Sequence, residues 1–82
     1  MVQGGYTDET WTIQITASKK SIDTKTFTGL KPVLEFKGKD GFYRYTYGTF
    51  NSRDEAAARI SFVRQKGYKQ AFAKTIGSIR KL

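Results

Sequence analysis

The stretch from Ser52 to Gly67 constrains the fold more than any other part of the chain, because it carries both start and stop signals for a helix. Ser52 can accept a hydrogen bond from the first turn, and Glu55 stands three residues later, as a capping box requires. Gly67 suits the position after the last turn, where the backbone often becomes left-handed. Apolar side chains recur at helical spacing at Ala56, Ile60 and Val63. The sequence therefore predicts one amphipathic helix in the second half of the chain.

The remaining apolar segments are typical of β-strands. The predicted strands are Trp11–Thr16, Val33–Lys37, Phe42–Tyr47 and Gln70–Ile76. In the first strand apolar and polar residues alternate with a period of two, which indicates one buried face. The polar residues Thr12, Gln14 and Thr16 are therefore expected to face away from the core. The pair Asp40-Gly41 favours a hairpin between the second and third strands.

The weakest pattern lies between the first two strands. Ile22, Phe27 and Leu30 could support a short helix closed by Gly29, although three threonines weaken it. The predicted order is strand, helical segment, strand, strand, helix, strand. This is the βαββαβ order of a split βαβ arrangement. We therefore expect an RNP-like α+β fold, with a single antiparallel sheet, two helical segments on one face and the opposite face open.

Composition limits the kinds of site that the chain can build. Its 82 residues suit one domain, with residues 1–10 as a flexible lead-in, 11–77 as the domain and 78–82 as a C-terminal tail. The chain has no Cys and no His, so it lacks disulfides, thiolate ligands and an imidazole base. Its two adjacent acid pairs lie in the lead-in and in the first turn of the predicted helix. We therefore expect no enzyme activity, no metal site and no small-molecule cofactor.

The charge of the chain indicates the kind of partner. The formal net charge is +8, from 15 Lys and Arg against 7 Asp and Glu. A small domain this basic favours an anionic partner, such as nucleic acid, a lipid surface or an acidic polysaccharide. No apolar run approaches the roughly 20 residues that span a bilayer, so a membrane is expected only through other parts of a host protein. No signal-peptide pattern is visible at the start of the chain.

Three segments form a recognisable series along the chain. They are the alternating strand Trp11–Ser18, the Arg-bearing strand Tyr43–Phe50, and the helix that ends in the Gly-aromatic pair Gly67-Tyr68. In this order they resemble the SPOR domain, the sporulation-related repeat that binds septal peptidoglycan in bacteria, over residues 11–76. Thr16 stands where this family usually has Gly, and Ala17 stands where it often has Ser. The short first helical segment is similar to SPOR-like domains of the Bacteroidetes type.

The resemblance implies a ligand and a binding site. The ligand would be peptidoglycan glycan strands that are free of stem peptides. The domain would bind them as a monomer in the periplasm or cell envelope, and would target its host protein to the septum or to remodelled wall. The implied glycan-binding residues are Gln14, Phe42, Arg44 and Phe72. Strand parity places Phe42, Arg44 and Thr46 on one face, and Gln14 on the non-core face of its strand. Arg can bind a muramic acid carboxylate, aromatic rings can cover sugar C–H faces, and amides can bond hydroxyls.

Other interpretations stay open at the level of sequence. Arg44 could be a solvated charge, Gln14 an ordinary strand residue, Phe42 a cover for the hairpin and Phe72 part of the core. The stripe of Tyr43, Tyr45 and Tyr47 is expected in the core. The βαββαβ order is shared with the RNA recognition motif, so RNA binding is the alternative function. Nucleic acid is nevertheless the less favoured partner, because the third strand lacks the second small residue of that motif. A protein-interaction module is a further alternative.

Overall fold

A computed structural model describes residues 7–81, and the fold within them is built on four strands. The strands are β1 (Trp11–Ser18), β2 (Val33–Lys37), β3 (Tyr43–Phe50) and β4 (Phe72–Thr75), and the helices are α1 (Arg53–Gln65) and α2 (Ile76–Arg80). A 3-10 turn, Thr24–Thr26, lies between β1 and β2. Residues 1–6, which form most of the predicted lead-in, lie outside the described residues.

The strands form one antiparallel sheet in the order β2-β3-β1-β4. β1 pairs with β3 on one side and with β4 on the other, so β2 and β4 are the edges. One core joins the sheet to α1 and to the segment after the 3-10 turn, and its buried members are Ile13, Ile15, Phe27, Leu30, Tyr45, Tyr47, Ala56, Val63 and Ala71. This arrangement confirms the predicted α+β fold with a single antiparallel sheet.

α1 begins and ends where the capping signals predict. The Ser52 hydroxyl accepts a hydrogen bond from the Glu55 backbone N–H at 3.2 Å. The Glu55 carboxylate accepts one from the Asn51 N–H, also at 3.2 Å, so the cap is reciprocal although its second bond reaches one residue further back. Gly67 follows the helix with a φ of 108°, a conformation that residues with a side chain rarely adopt. Both ends of α1 are therefore fixed by local chemistry.

The first helical segment is a single 3-10 turn and not a longer helix. The Asp23 carboxylate accepts a hydrogen bond from the Lys25 backbone N–H at 3.0 Å and caps the turn. Phe27 and Leu30, which follow it, are buried in the core. The β-branched threonines account for the shortness, because their side chains lose rotational freedom in a helix. The segment still covers the same sheet face as α1.

The predicted hairpin joins β2 to β3. The Gly38 N–H donates to the Phe42 carbonyl at 2.8 Å, and the Gly41 N–H donates to the Gly38 carbonyl at 3.1 Å. Gly41 has a φ of 88°, which suits its place at the end of the turn. The Asp40 carboxylate accepts a hydrogen bond from the Phe42 N–H at 3.1 Å. This last contact fixes the Asp40 carboxylate beside the start of β3.

A buried threonine holds an irregularity in the pairing of β1 with β3. The register shifts immediately after Trp11, at Thr12. The Thr12 hydroxyl donates to the Gly48 carbonyl at 2.7 Å and lies 3.3 Å from the Tyr47 carbonyl. Thr12 has no exposed surface, and Gly48 has a φ of 72°. The hydroxyl therefore donates to backbone carbonyls that would otherwise accept hydrogen bonds from a regularly paired strand.

A second register shift changes the face on which the end of β1 lies. Ile15 is an extra residue of β1, so Thr16 is the residue that pairs with Tyr45 of β3. Since Tyr45 is buried in the core and cross-strand partners share a face, Thr16 lies on the core side. The prediction that Thr16 faces away from the core with Gln14 is therefore wrong. Strict alternation fails at the bulge, and Ala17 becomes the next residue on the outer face.

The last strand is shorter than predicted, because the chain turns into α2 at Ile76. The Thr75 hydroxyl accepts a hydrogen bond from the first turn of α2 at 3.2 Å and caps it. Ile76 and Ile79 have 0% and 1% of their surface exposed. The predicted strand over residues 70–76 is therefore too long at both ends. Residues 78–80, part of the predicted C-terminal tail, continue α2 to Arg80.

The described end of the lead-in lies against α2. The carbonyl groups of Thr10 and Asp8 accept hydrogen bonds from the Ile76 and Gly77 N–H groups, both at 2.8 Å. The Asp8 carboxylate also forms an ion pair with Arg80 at 3.2 Å. A Cβ at Gly77 would lie 2.8 Å from the Asp8 carbonyl oxygen, so only glycine allows this close approach. Residues 8–10 are therefore anchored to the C-terminal helix.

We expect Gly48→Ala to destabilise the domain more than Gly41→Ala. Both glycines have positive φ, so a side chain should cost each about 1 kcal/mol in backbone strain. A Cβ at Gly48 would also lie 3.0 Å from the ring of Phe50, whereas nothing lies within 4 Å of one at Gly41. Overpacking should raise the Gly48→Ala cost to about 2–3 kcal/mol. Urea unfolding would measure both, and equal losses would contradict the steric part of this account.

Candidate functional site

The sheet face away from the core carries a row of the predicted site residues. Gln14 of β1 pairs with Thr46 of β3 on one side and with Phe72 of β4 on the other. Arg44 lies two residues from Thr46 along β3 and therefore on the same face. Neighbouring strands are about 4.8 Å apart, so three strands place this row across about 10 Å. The structure thus brings Gln14, Arg44 and Phe72 onto one face.

Phe72 is the exposed aromatic residue of this face. With 42% of its surface exposed, it is the one large hydrophobic residue classed as exposed among residues 7–81. The Lys74 Nζ lies 5.8 Å from the centroid of its ring. Ala71, just before β4, is fully buried and Ala73 packs against the core, so both alanines face inward and Phe72 faces outward. The interpretation of Phe72 as a core residue is therefore wrong.

Two polar atoms at the centre of this face lack a hydrogen-bond partner within the described part of the chain. They are the Gln14 Oε1 and the Thr46 Oγ1, and both atoms are buried. Leaving a buried polar atom unpaired costs about 1–3 kcal/mol, so such atoms are rare in folded proteins. Thr12 and Thr46 are fully buried, so this face is less open than predicted. The unpaired pair marks the centre of the face as a candidate ligand contact.

Arg44 is held on this face by an ion pair with Asp40 of the hairpin. The Arg44 Nη1 donates to the Asp40 Oδ1 at 3.1 Å, and Nη2 donates to Oδ2 at 2.7 Å. The Arg44 side chain is only 12% exposed and that of Asp40 is 41% exposed. The hydrogen bond from Arg44, with one from the Phe42 N–H, lowers the pKa of Asp40 to about 2. The interpretation of Arg44 as a freely solvated charge is therefore wrong.

Phe42 lies at the hairpin end of the same face. Its ring is half-buried, and two cations lie near it. The Lys19 Nζ is 5.6 Å and the Arg44 Cζ is 5.8 Å from the ring centroid, both within cation–π range. Phe42 therefore supports the Arg44 guanidinium and also extends the face toward the hairpin.

The tyrosines of β3 belong to the core side, as the sequence predicts. Tyr45 is fully buried and Tyr47 is 9% exposed. The Tyr45 hydroxyl donates to the Glu35 carboxylate at 2.7 Å and accepts a hydrogen bond from the Ile22 backbone N–H. Hydrogen bonds from Tyr45 and then Ser21 lower the pKa of Glu35. Tyr45 thus holds the segment after β1 against the sheet, Tyr47 packs on Phe62 of α1, and neither ring is available for stacking on a ligand.

Positive charge is concentrated in the last third of the chain. Residues 1–55 contain eight basic and seven acidic residues, whereas residues 56–82 contain seven basic and no acidic residues. From residue 56 onward, the exposed cations of α1 and of the loop after it are Arg59, Arg64, Lys66 and Lys69. Within residues 7–81 the ion pairs are Arg44–Asp40 and Arg80–Asp8. Residues 56–81 therefore provide a positive field that ion pairs neutralise only at Arg80.

Two other kinds of feature are absent from the described residues. Over residues 7–81, no group of three or more acidic side chains is close enough together to hold a metal ion. In the same part of the chain, no helix has the length and apolar character needed to cross a bilayer.

Sequence reasoning missed three features of this site. Asp40 was assigned only to the turn, the Thr46 hydroxyl was not singled out, and Lys19 was not connected to Phe42. The sequence signal for the ion pair is an acid in the turn with an Arg four residues later, at the second position of the strand. That signal identifies a contact only when the hairpin loop is known, because the loop decides whether the two side chains meet.

We expect the Asp40 carboxyl to titrate with a pKa of about 2 in the wild-type domain. Arg44→Gln should raise this pKa toward the ordinary value of 3.8, because it removes the largest cause of the shift. Since the folded-state pKa is depressed, the pair contributes to stability above pH 3.8 and loses that contribution as the pH falls toward 2. Carboxyl-carbon NMR would measure both values. A wild-type pKa near 3.8 would contradict the bidentate pair.

Comparison with known proteins identifies the family. The family model of the SPOR domain matches residues 7–75, which is most of the chain and confirms the resemblance seen in the sequence. No curated protein and no solved structure gave a significant match. SPOR domains are peptidoglycan-binding domains of envelope proteins and are generally non-catalytic, which is consistent with the composition of this chain. The chain belongs to the SPOR domain family.

Proposed function

We propose that this domain binds the glycan strands of peptidoglycan where stem peptides have been removed. The contact surface is the outer sheet face, with Gln14, Arg44 and Phe72 on three strands and Phe42 at the hairpin end. The domain acts as a monomer, binds without cutting the strand and carries its host protein to the septum or to remodelled wall in the periplasm. The family supports peptidoglycan as the ligand and the cell envelope as the location, and the contacts of the face support the glycan strand as the part that is bound.

The pairing of Phe72 with Gln14 supports this proposal most directly. An exposed aromatic ring lies in register beside a buried amide oxygen that has no partner among residues 7–81. A sugar ring offers an apolar C–H face to the first group and hydroxyls or an acetamido N–H to the second. The two protein groups match two contacts that a single sugar can make at once when the half-buried Gln14 side chain turns its amide oxygen outward.

The charge of the domain suits the same ligand. Removal of the stem peptide leaves each muramic acid with a lactyl carboxylate, so a denuded strand is a regular polyanion. Lys74 lies beside Phe72 on β4, and the exposed cations of α1 add to the positive field. Such fields raise the rate of encounter with an anionic strand, although salt screens them beyond about 10 Å. The charge thus attracts the strand, and the face contacts determine where it binds.

The first test is co-sedimentation with purified sacculi before and after treatment with an amidase that removes stem peptides. We expect the pelleted fraction of the domain to rise after treatment, because more glycan surface and more carboxylates become accessible. Binding that is equal before and after treatment would contradict the preference for denuded strands. Failure to pellet with either preparation would contradict glycan binding itself.

Substitutions on the face should weaken binding without unfolding the domain. Phe72→Ala should lower the affinity for amidase-treated sacculi about tenfold, because an exposed ring contributes to binding but little to the core. Gln14→Ala should lower it roughly threefold to tenfold through the lost hydrogen bond. Gln65→Ala, an exposed glutamine of α1, is the matched control and should bind as wild type does. Circular dichroism melting would detect a variant that unfolds, which would contradict a binding role for that residue.

A further inference from the structure

The Arg44–Asp40 pair affects how a ligand carboxylate can bind to Arg44 in the proposed site. Both terminal nitrogens of Arg44 already donate to Asp40, at 3.1 and 2.7 Å. An end-on bidentate contact with a ligand carboxylate needs the same two nitrogens in the same geometry. The Arg44 side chain is 12% exposed, so little of the guanidinium is accessible beyond the pair. A carboxylate that binds Arg44 end-on must therefore displace Asp40.

Asp40 is well placed to resist this displacement. It belongs to the hairpin that leads into β3, so it stays near Arg44 at a high effective concentration. Its Oδ1 also accepts the Phe42 N–H at 3.1 Å, which holds the carboxylate in position before any ion pair forms. The pairing also cancels the local charge of Arg44, which weakens its attraction for an approaching anion.

We infer that Asp40 is a specificity-determining residue, which competes with the carboxylate of the ligand for Arg44 and lowers the affinity of the domain for carboxylate-bearing strands. This inference rests on the proposed function. Under it, the wild-type face recognises mainly the neutral groups of the sugars, through Phe72 and Gln14. The lactyl carboxylate then contributes to long-range attraction more than to a direct contact with Arg44.

The test compares two forms of amidase-treated sacculi, one with free lactyl carboxylates and one with those carboxylates converted to methylamides by carbodiimide coupling. We expect Asp40→Asn to bind the free-carboxylate form roughly fivefold more tightly than wild type, which is the change expected from removing a partly exposed ion pair. It should bind the methylamide form as wild type does. Asn can still accept the Phe42 N–H, so the turn should be retained, and thermal melting would check this.

Two controls separate competition at Arg44 from a general effect of charge. Glu9→Gln removes one negative charge from an exposed residue at the other end of β1, and it should leave the affinity for both forms unchanged. In the double variant Asp40→Asn with Arg44→Gln, the gain should disappear, because the group that Asp40 competes for is gone.

The outcomes distinguish this inference from the proposed function. Suppose that wild type pellets with the free-carboxylate form and that Asp40→Asn binds it no better, or more weakly. Asp40 would then position Arg44 for the ligand, and the inference that Asp40 competes with the ligand would be overturned. An equal gain on the methylamide form would also overturn it, because the effect would not depend on the carboxylate. If neither wild type nor Asp40→Asn pellets with either form, the proposed function fails and this inference fails with it. A gain limited to the free-carboxylate form and to proteins with Arg44 would support it.

Discussion

The antiparallel pairing of β1 with β3 is the constraint on which the rest of the structure depends, because it decides which side chains share a face. β1 lies between β3 and β4, so every residue of the candidate site is placed relative to it. The Thr12 hydroxyl satisfies backbone carbonyls at one irregularity of the pairing. The extra residue Ile15 turns Thr16 inward and leaves Ala17 opposite Arg44. A one-residue change of register would exchange the two faces and dismantle both the core and the site.

The parts of the fold that depend on neighbouring residues could be predicted from the sequence. The ends of α1 and the hairpin depend on residues a few positions apart, so their signals could be recognised in the sequence. The bulge at Ile15 could not be predicted, because it arises from the fit between two strands about 30 residues apart. α2 was also missed, since Thr75 caps a helix too short to show a periodic pattern. Of the site, Gln14, Arg44 and Phe72 followed from parity and resemblance, whereas the pairing with Asp40 required the shape of the turn.

The orientation of the aromatic residues bears on the alternative of RNA binding. An RNA recognition motif stacks bases on aromatic side chains that project from its central strands. Here Tyr45 and Tyr47 of β3 are buried on the core side, and their strand presents Arg44 and Thr46 on the outer face. The exposed ring is on the edge strand β4. The half-buried rings of Phe36, which pairs with Arg44, and of Phe42 lie on the same face, toward β2 and the hairpin. The centre of the face thus presents polar groups with rings around them, which differs from a row of aromatic side chains on the central strands.

The two kinds of positive charge in this domain have different physical roles. Arg44 lies at the site but is paired with Asp40, so it contributes a fixed donor geometry and little net charge. Among residues 7–81, most cations outside the two ion pairs lie in α1, in the loop after it and in the segment between β1 and β2. Under the proposed function, attraction over a distance comes from the outside of the fold, and discrimination comes from neutral groups of the outer sheet face. A polyanion without sugar-like apolar faces would then be attracted by the same field but would gain nothing from Phe72, so charge alone would not select the ligand.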